Sequence, residues 1–333
     1  MSNLITVRNV NQALSDALWL LVANGENEPS RNGAVVVAPG PVLTTYTHPQ
    51  ERVLFSPMRN ANPFFHLMEA LWMLAGNNDL AWPLFFNSRF KEYSDDGKTI
   101  RGAYGHRWRE WFGVDQLPLL VELLRRDPTT RRAVLNMWST ADDLYSDSRD
   151  VPCNTQAYFD LRGGALNMTV CCRSNDLLWG AYGANAVHFS MLQEYLASWL
   201  NVKMGEYRQF SNNLHLYTGV VAHEDIKRLA INAEGHNYYE ALAQRVEPLA
   251  LKSEDVPMEL WDQDLQWFLQ DPSGDTLYNH AFFNEVAAPM YAAWSDRKQR
   301  YSNGLSAANA ISASDWRRAC MEWIQRAELK NPI

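Results

Sequence analysis

The chain has 333 residues, of which 47% are hydrophobic, and a formal net charge of −8. That length is ample for one large core or two modest ones, and 13 Trp with 14 Tyr exclude a disordered or fibrous chain. The negative charge argues against a general nucleic-acid binder and so against a stable nucleic-acid partner, but leaves room for a local basic pocket around a small anion.

The first 30 residues hold an apolar stretch, but Asp16 and its polar neighbours break any signal-peptide core. Val10, Leu14, Leu18 and Leu21 share one face of an amphipathic helix. No apolar run approaches membrane-spanning length, so the expectation is a soluble, cytoplasmic protein with no membrane partner. Residues 26–33 read as a polar loop, and Ala34–Val37 as a strand closed by Pro39-Gly40-Pro41. Asn62 as cap, Pro63 at the first helical position and Gly76 after the last turn predict a helix between them. It is almost wholly apolar and should be buried, with Glu69 in its middle.

Residues 79–93 are aromatic-rich, Asp95-Asp96-Gly97 reads as a turn, and Gly102-Ala103-Tyr104-Gly105 as a close backbone approach. A helix is expected over 117–125 and a strand over 131–138. Further strands are expected over 155–161 and 165–172, joined by Gly163-Gly164 as a hairpin turn. A long helix should follow over 185–200, then a strand over 207–212 and a helix starting within 215–224. No linker or repeat interrupts the chain, which predicts one α+β domain over residues 1–333.

The four cysteines, Cys153, Cys171, Cys172 and Cys320, lack zinc-site spacing, so no metal is expected. Cys171 and Cys172 in one strand would point to opposite faces and not pair. Free thiols in a reducing compartment are the simplest account. A lone Cys is commonly a small buried hydrophobe, but Cys153 has Arg131-Arg132 before it and Arg173-Ser174 after it, groups that lower a thiol pKa and bind phosphate. Glu69 in an apolar helix costs several kcal/mol unless paired or neutralised, and a buried acid suits proton transfer near neutral pH. Asn185 reads either as a helix cap or as an amide facing a base edge. His215 and Tyr217, two apart, could both reach a sugar hydroxyl if that segment is extended.

Taken in order, Arg-Arg before a strand, Pro152-Cys153, Arg173-Ser174-x-Asp176, Gly180 followed by Asn185, and His215-x-Tyr217 resemble the thymidylate synthase family, which includes the pyrimidine-nucleotide hydroxymethylases. The resemblance is strongest from Arg131 to Tyr217 and reaches back to Arg31. It implies a mixed β-sheet packed against helices and a homodimer formed sheet to sheet. It also implies Cys153 as nucleophile, Arg31, Arg173 and Ser174 at the nucleotide phosphate, and Arg131 and Arg132 reaching across the dimer to the partner's phosphate. Asp176 would help fix base and folate, His215 and Tyr217 would hold the sugar 3′-hydroxyl, and Glu69 with Tyr104 would relay protons. Asn185 would read N3 and O4 of uracil, with one residue inserted after Gly180. The implied reaction is thiolate addition at carbon 6 of the pyrimidine, which makes carbon 5 nucleophilic toward the one-carbon unit of 5,10-methylenetetrahydrofolate.

Four departures bear on the product. Asn154 follows the nucleophile where synthases usually carry His, so it joins the catalytic set as an open position. Phe90 stands in the register of a usual Trp, and a smaller ring there could admit water. Asn175 stands where synthases have a small residue or Val. The apolar C-terminal tail of the synthases is not recognisable in residues 326–333. These favour dUMP hydroxymethylation over methylation, and Asn185 favours uracil over cytosine, where cytosine-specific relatives usually place Asp. Thymidylate synthesis stands second and dCMP or CMP hydroxymethylation third. A catalytically inactive nucleotide- or RNA-binding homologue is the non-enzyme alternative. A cysteine hydrolase would need His188 or His215 at Cys153.

Overall fold

The computed structural model describes residues 2–273, 276–299 and 304–330. The chain divides into two compact units. The first takes Met1–Asn60, Arg107–Asp147 and Val151–Asn237, the second Ala61–His106, Ser148–Asp150 and Tyr238–Ile333. Each unit gathers several stretches of chain, which is why no linker marks a boundary in the sequence.

The first unit carries ten strands: β1 Leu4–Val7, β2 Glu26–Ser30, β3 Gly33–Val37, β4 Val42–Tyr46, β5 Val134–Asn136, β6 Asn154–Arg162, β7 Ala165–Cys172, β8 Asn175–Asp176, β9 Lys203–Ser211 and β10 Leu214–Tyr217. They form a mixed six-stranded sheet in the order β1-β4-β9-β7-β6-β5 and a four-stranded sheet in the order β2-β3-β10-β8. The β6–β7 hairpin turns at Gly163 and Gly164, whose φ values of 57° and 75° are the left-handed conformation such a turn requires.

Alternation gives the larger sheet one buried face. Val42, Thr44 and Tyr46 lie opposite Ser211, Gln209 and Tyr207, and these lie opposite Cys172, Val170 and Met168. All nine are buried. The helix Asn185–Leu200 is tied to the ends of β7 and β9, with Gln193 Nε2 donating to the carbonyls of Leu166 (2.8 Å) and Glu206 (3.2 Å). On the opposite face, the rows Leu43–Phe210–Cys171–Gln156 and Thr45–Arg208–Thr169–Tyr158 run across four strands. Every one of these side chains is partly or well exposed.

The helix Val10–Asn24 forms as its spacing predicts, capped by Asn9, whose side chain accepts from the Asn11 and Gln12 amides. Two expectations need correction. Residues 26–30 are a strand, not a loop: β2 is wholly exposed and polar, with Pro29 in it, and such an edge strand takes its hydrogen bonds from one neighbour without showing alternation. Residues 214–217 are extended, because β10 is clamped between β3 and β8, and the helix starts only at Ile226. The strand expected over 131–138 shrinks to Val134–Asn136, leaving Arg131 and Arg132 exposed ahead of it.

The second unit is built on the helix Pro63–Leu74. Asn62 Oδ1 accepts from the Phe65 amide at 3.2 Å, and Gly76 follows the helix at φ 80°. Eleven of its twelve residues are buried, all but Glu69. Phe64 packs against Trp294 and Trp323 of the helices Ala288–Lys298 and Ser314–Lys330. The close approach expected at residues 102–105 is present: a Cβ on Gly105 would lie 1.9 Å from the Met73 carbonyl oxygen.

Candidate active site

The pairing of β6 with β7 slips at its start. Asn154 lies opposite Cys172 and Gln156 opposite Cys171, so Thr155 is the extra residue of a bulge. Since alternation has period two, this slip turns Asn154 to the buried side, where it has no exposed surface. Cys153, just before it, remains partly exposed. Its carbonyl accepts from the Arg173 amide at 2.8 Å.

Arg173 is held over this turn. Its Nε donates to the Pro152 carbonyl (2.9 Å) and its Nη2 to the Val151 carbonyl (3.0 Å), with Nη2 also 3.8 Å from Cys153 Sγ. A fixed guanidinium beside a sulfur favours the thiolate. Cys172, on the buried face, is the contrast: burial pushes its thiol far up, reinforced by the neighbouring Cys153. Burial also pushes up Cys171 and Cys320. All four cysteines are free.

Asn185 is not the helix cap: the helix start falls at Ala184, and the Asn185 side chain makes other bonds. Asn154 Nδ2 donates to Asn185 Oδ1 (3.3 Å), Asn185 Nδ2 to Asn175 Oδ1 (3.1 Å), and Asn175 Nδ2 to Ser211 Oγ (2.9 Å). Three buried amides thus run head to tail into a hydroxyl. Gly180 makes room for them, since a Cβ there would lie 2.7 Å from Asn175 Oδ1.

Asp176 ends β8 beside His215 of β10. Burial raises the Asp176 carboxyl above the usual range, opposed by the Trp179 amide that donates to it and by the charges of His215 and Arg59. His215 is buried, with Nδ1 2.8 Å from Asn213 Oδ1, and its ring stands edge-on to Tyr217 at 5.2 Å. Ser174 is half-buried, and its carbonyl lies 3.2 Å from Cys172 Sγ.

The first unit therefore gathers Cys153, Asn154, Arg173 and Asn185, with Asp176 and His215 on adjacent strands. Arg31, in the β2–β3 turn, and Arg131 and Arg132, ahead of β5, are exposed. None of these three side chains hydrogen-bonds to the group among the described residues.

Sequence reading missed Arg59 and Trp179. Arg59 is buried, with Nε donating to the Leu178 carbonyl at 2.9 Å and its guanidinium 4.5 Å from the centroid of the Trp179 ring. Burial lowers its pKa to about 10. Trp179 is 48% exposed, a flat aromatic face backed by a cation. Arg59 lay in an unremarkable Met-Arg-Asn run, and only the buried guanidinium reveals it.

In the second unit, Glu69 and Phe65 lie one turn apart on the helix, hence on one face. The Phe90 ring stands edge-on to Phe65 at 5.4 Å and near Tyr93 at 5.8 Å. Phe90 thus belongs to the aromatic wall on the Glu69 side of the helix. Tyr104 is half-buried, and the seat of Gly105 on Met73 brings its backbone to the last turn of the same helix. Among the described residues no His, Cys, Asp and Glu cluster could hold a metal ion, and no helix is long and apolar enough to cross a membrane.

Residues 14–280 match the family model of thymidylate synthase. The chain belongs to the thymidylate synthase family. It is 46% identical to a deoxyuridylate hydroxymethyltransferase of Pseudomonas phage M6, over 97% of this chain and 93% of that one. It is 38% identical to a deoxyuridylate hydroxymethyltransferase of Bacillus phage SP01, over 58% of this chain and 55% of that one. A thymidylate synthase of Symbiobacterium thermophilum is 27% identical over 64% of this chain and 78% of its own length. The mixed sheets packed with helices are the fold class that membership implies.

Proposed function

We propose that this protein transfers a one-carbon unit from 5,10-methylenetetrahydrofolate to carbon 5 of dUMP and completes the reaction with water, giving 5-hydroxymethyl-dUMP. The nearly end-to-end similarity to a phage deoxyuridylate hydroxymethyltransferase carries this reading. The thiol and guanidinium at Cys153 and Arg173 support its first step.

In this reading the Cys153 thiolate adds to carbon 6, forming a C–S bond and pushing the electron pair toward carbon 5. Arg173, Arg31 and Ser174 hold the phosphate, with Arg131 and Arg132 supplied by a second copy. Asn185 faces the uracil edge, and His215 and Tyr217 take the 3′-hydroxyl. The chemistry of Asp176, Arg59 and Trp179 fits a pterin: a flat ring to stack on, with a carboxylate for its N–H groups. Bound there, the folate would give its methylene carbon to carbon 5 and, once its last C–N bond to that carbon breaks, leave as tetrahydrofolate. Glu69 and Tyr104 move the proton released from carbon 5. Water adds to the exocyclic methylene, the C–S bond breaks, and Cys153 leaves as thiolate. Phe90 sets how much water reaches that carbon.

The test incubates the protein with dUMP, dCMP, UMP and CMP, each with methylenetetrahydrofolate, and weighs the products. The expected product is hydroxymethyl-dUMP with tetrahydrofolate. A methylated product with dihydrofolate overturns the choice of water over hydride. A Phe90→Trp variant should yield a smaller hydroxymethyl share, and an unchanged share removes Phe90 from product control.

The partly exposed face of the larger sheet, with Leu43, Phe210, Cys171 and Tyr158 on it, suits a sheet-to-sheet homodimer. Mixing Cys153→Ala protomers with Arg131→Ala/Arg132→Ala protomers should restore activity, because the intact thiol then receives intact arginines from its partner. Activity no higher than that of the unmixed variants refutes the exchange.

A further inference from the structure

We infer that Asn154 is a specificity-determining positioning residue: through the amide chain Asn154–Asn185–Asn175–Ser211 it sets which way the Asn185 amide faces, and so which pyrimidine edge the site accepts. The inference rests on the proposed role of Asn185 at the base.

The Asn185 amide has two N–H groups and two oxygen lone pairs. The chain uses one of each: Oδ1 accepts from Asn154 and Nδ2 donates to Asn175. One donor and one acceptor remain for a ligand, side by side. Uracil offers an acceptor at O4 beside a donor at N3–H; cytosine offers a donor at its amino group beside an acceptor at N3. The two bases therefore need opposite orientations of the same amide.

Asn185 cannot turn over alone. Doing so would set its Nδ2 against Asn154 Nδ2 and its Oδ1 against Asn175 Oδ1, a donor–donor and an acceptor–acceptor clash in a buried place. The three amides must reverse together. Reversal leaves no bond unmade, because the Ser211 hydroxyl donates as readily as it accepts. The direction of the chain is thus a choice between two states that each keep all three bonds. The β6 bulge, which turns Asn154 inward, brings the end of that chain next to Cys153. The direction seen, with Asn154 donating, is assigned to uracil.

Two isosteric substitutions separate this from a merely structural or electrostatic role. Asn154→Asp replaces the donor with an acceptor, so Asn185 must present Nδ2 to it, and the chain reverses. Asn175→Asp adds the same charge on the other side but still accepts from Asn185 Nδ2, which preserves the direction. Dissociation constants for dUMP and dCMP are measured by calorimetric titration without folate, at pH 8.5 to favour ionised carboxylates, with thermal melts to confirm folding. Asn154→Asp should shift the dUMP-to-dCMP preference toward dCMP by about tenfold or more, while Asn175→Asp holds it within about threefold. Asn154→Ala, which imposes neither direction, should bring the preference toward unity without inverting it.

Equal shifts in the two acidic variants, or a wild-type ratio in Asn154→Asp and Asn154→Ala, overturn the inference. So does a wild-type protein that binds both nucleotides equally. Because the readout is binding, a wild type that prefers dUMP but makes no hydroxymethyl product counts against the proposed reaction and leaves the amide chain standing.

Discussion

The start of β6 and the helix Pro63–Leu74 both place polar groups in apolar surroundings, and they do so in opposite ways. From the start of β6, three amides and a hydroxyl are linked in sequence, so each side chain's orientation depends on the next. In the helix, a single carboxylate, Glu69, interrupts eleven buried residues and faces along an aromatic wall. A mutually dependent network sets direction, and a substitution in it should alter selectivity. A single ionisable group, in the proposed role of Glu69, handles a proton, and a substitution there should remove a step.

The largest effect expected is at the thiol. Cys153→Ala should lower turnover of dUMP by about 10³-fold or more, because the proposed reaction assigns the bond to carbon 6 to this thiol alone. Nucleotide binding should survive, since Arg173 is anchored to the Val151 and Pro152 carbonyls, not to the sulfur alone. Steady-state kinetics beside a binding titration checks both; residual turnover within tenfold of wild type would remove Cys153 as nucleophile. Glu69→Gln comes next. It keeps the shape of the side chain and removes its proton chemistry, so kcat should fall by about 10²- to 10⁴-fold with little change in KM for the nucleotide. A raised KM with unchanged kcat would instead make Glu69 a binding group and erase the contrast with β6.

The two regions also differ in how much of them the sequence reveals. The helix could be read almost whole: Asn62, Pro63 and Gly76 are local signals, and a carboxylate among Phe, Leu, Met and Trp stands out on hydropathy alone. The hairpin at Gly163-Gly164 was legible for the same reason. The amide chain was not. Asn154 and Asn175 registered only as unusual residues, and Asn185 read equally well as a cap. The bulge that turns Asn154 inward is a matter of register between two strands, which no local pattern encodes. The exposed strand β2 and the extended segment at His215 were hidden likewise, because their partners lie far away in the chain. Arg59 needed burial to be noticed.

Two glycines of the second unit differ in what an added side chain would meet. Gly105 sits against the backbone of the Glu69 helix, and an added Cβ would meet Met73 oxygen at 1.9 Å and its carbonyl carbon at 2.5 Å. Backbone has little room to yield, so Gly105→Ala should destabilise by about 3 kcal/mol or more, seen as a fall in Tm of roughly 5 °C or more. Gly97→Ala, with nothing within 4 Å but a φ of +71°, should cost only about 1 kcal/mol. Equal losses in the two would mean that the contact with Met73 costs far less than its distances imply.

Gly180 is the counterpart in the amide chain and carries the smallest expected effect. Its added Cβ would lie 2.7 Å from Asn175 Oδ1 and 3.5 Å from Asn185 Nδ2. The obstructing atom is now a side-chain amide, so it can move, and the cost falls on hydrogen-bond geometry more than on the fold. Asn175 is held between Asn185 and Ser211, and displacing its oxygen lengthens the bond that fixes Asn185. Loss of part of one such bond corresponds to about 1 kcal/mol. Gly180→Ala should therefore weaken dUMP binding by roughly threefold to tenfold and narrow its margin over dCMP, while Tm falls much less than in Gly105→Ala. A Tm loss as large as that of Gly105→Ala, with dUMP affinity intact, would mean that the amides at β6 hold the fold together and leave base selection to other groups.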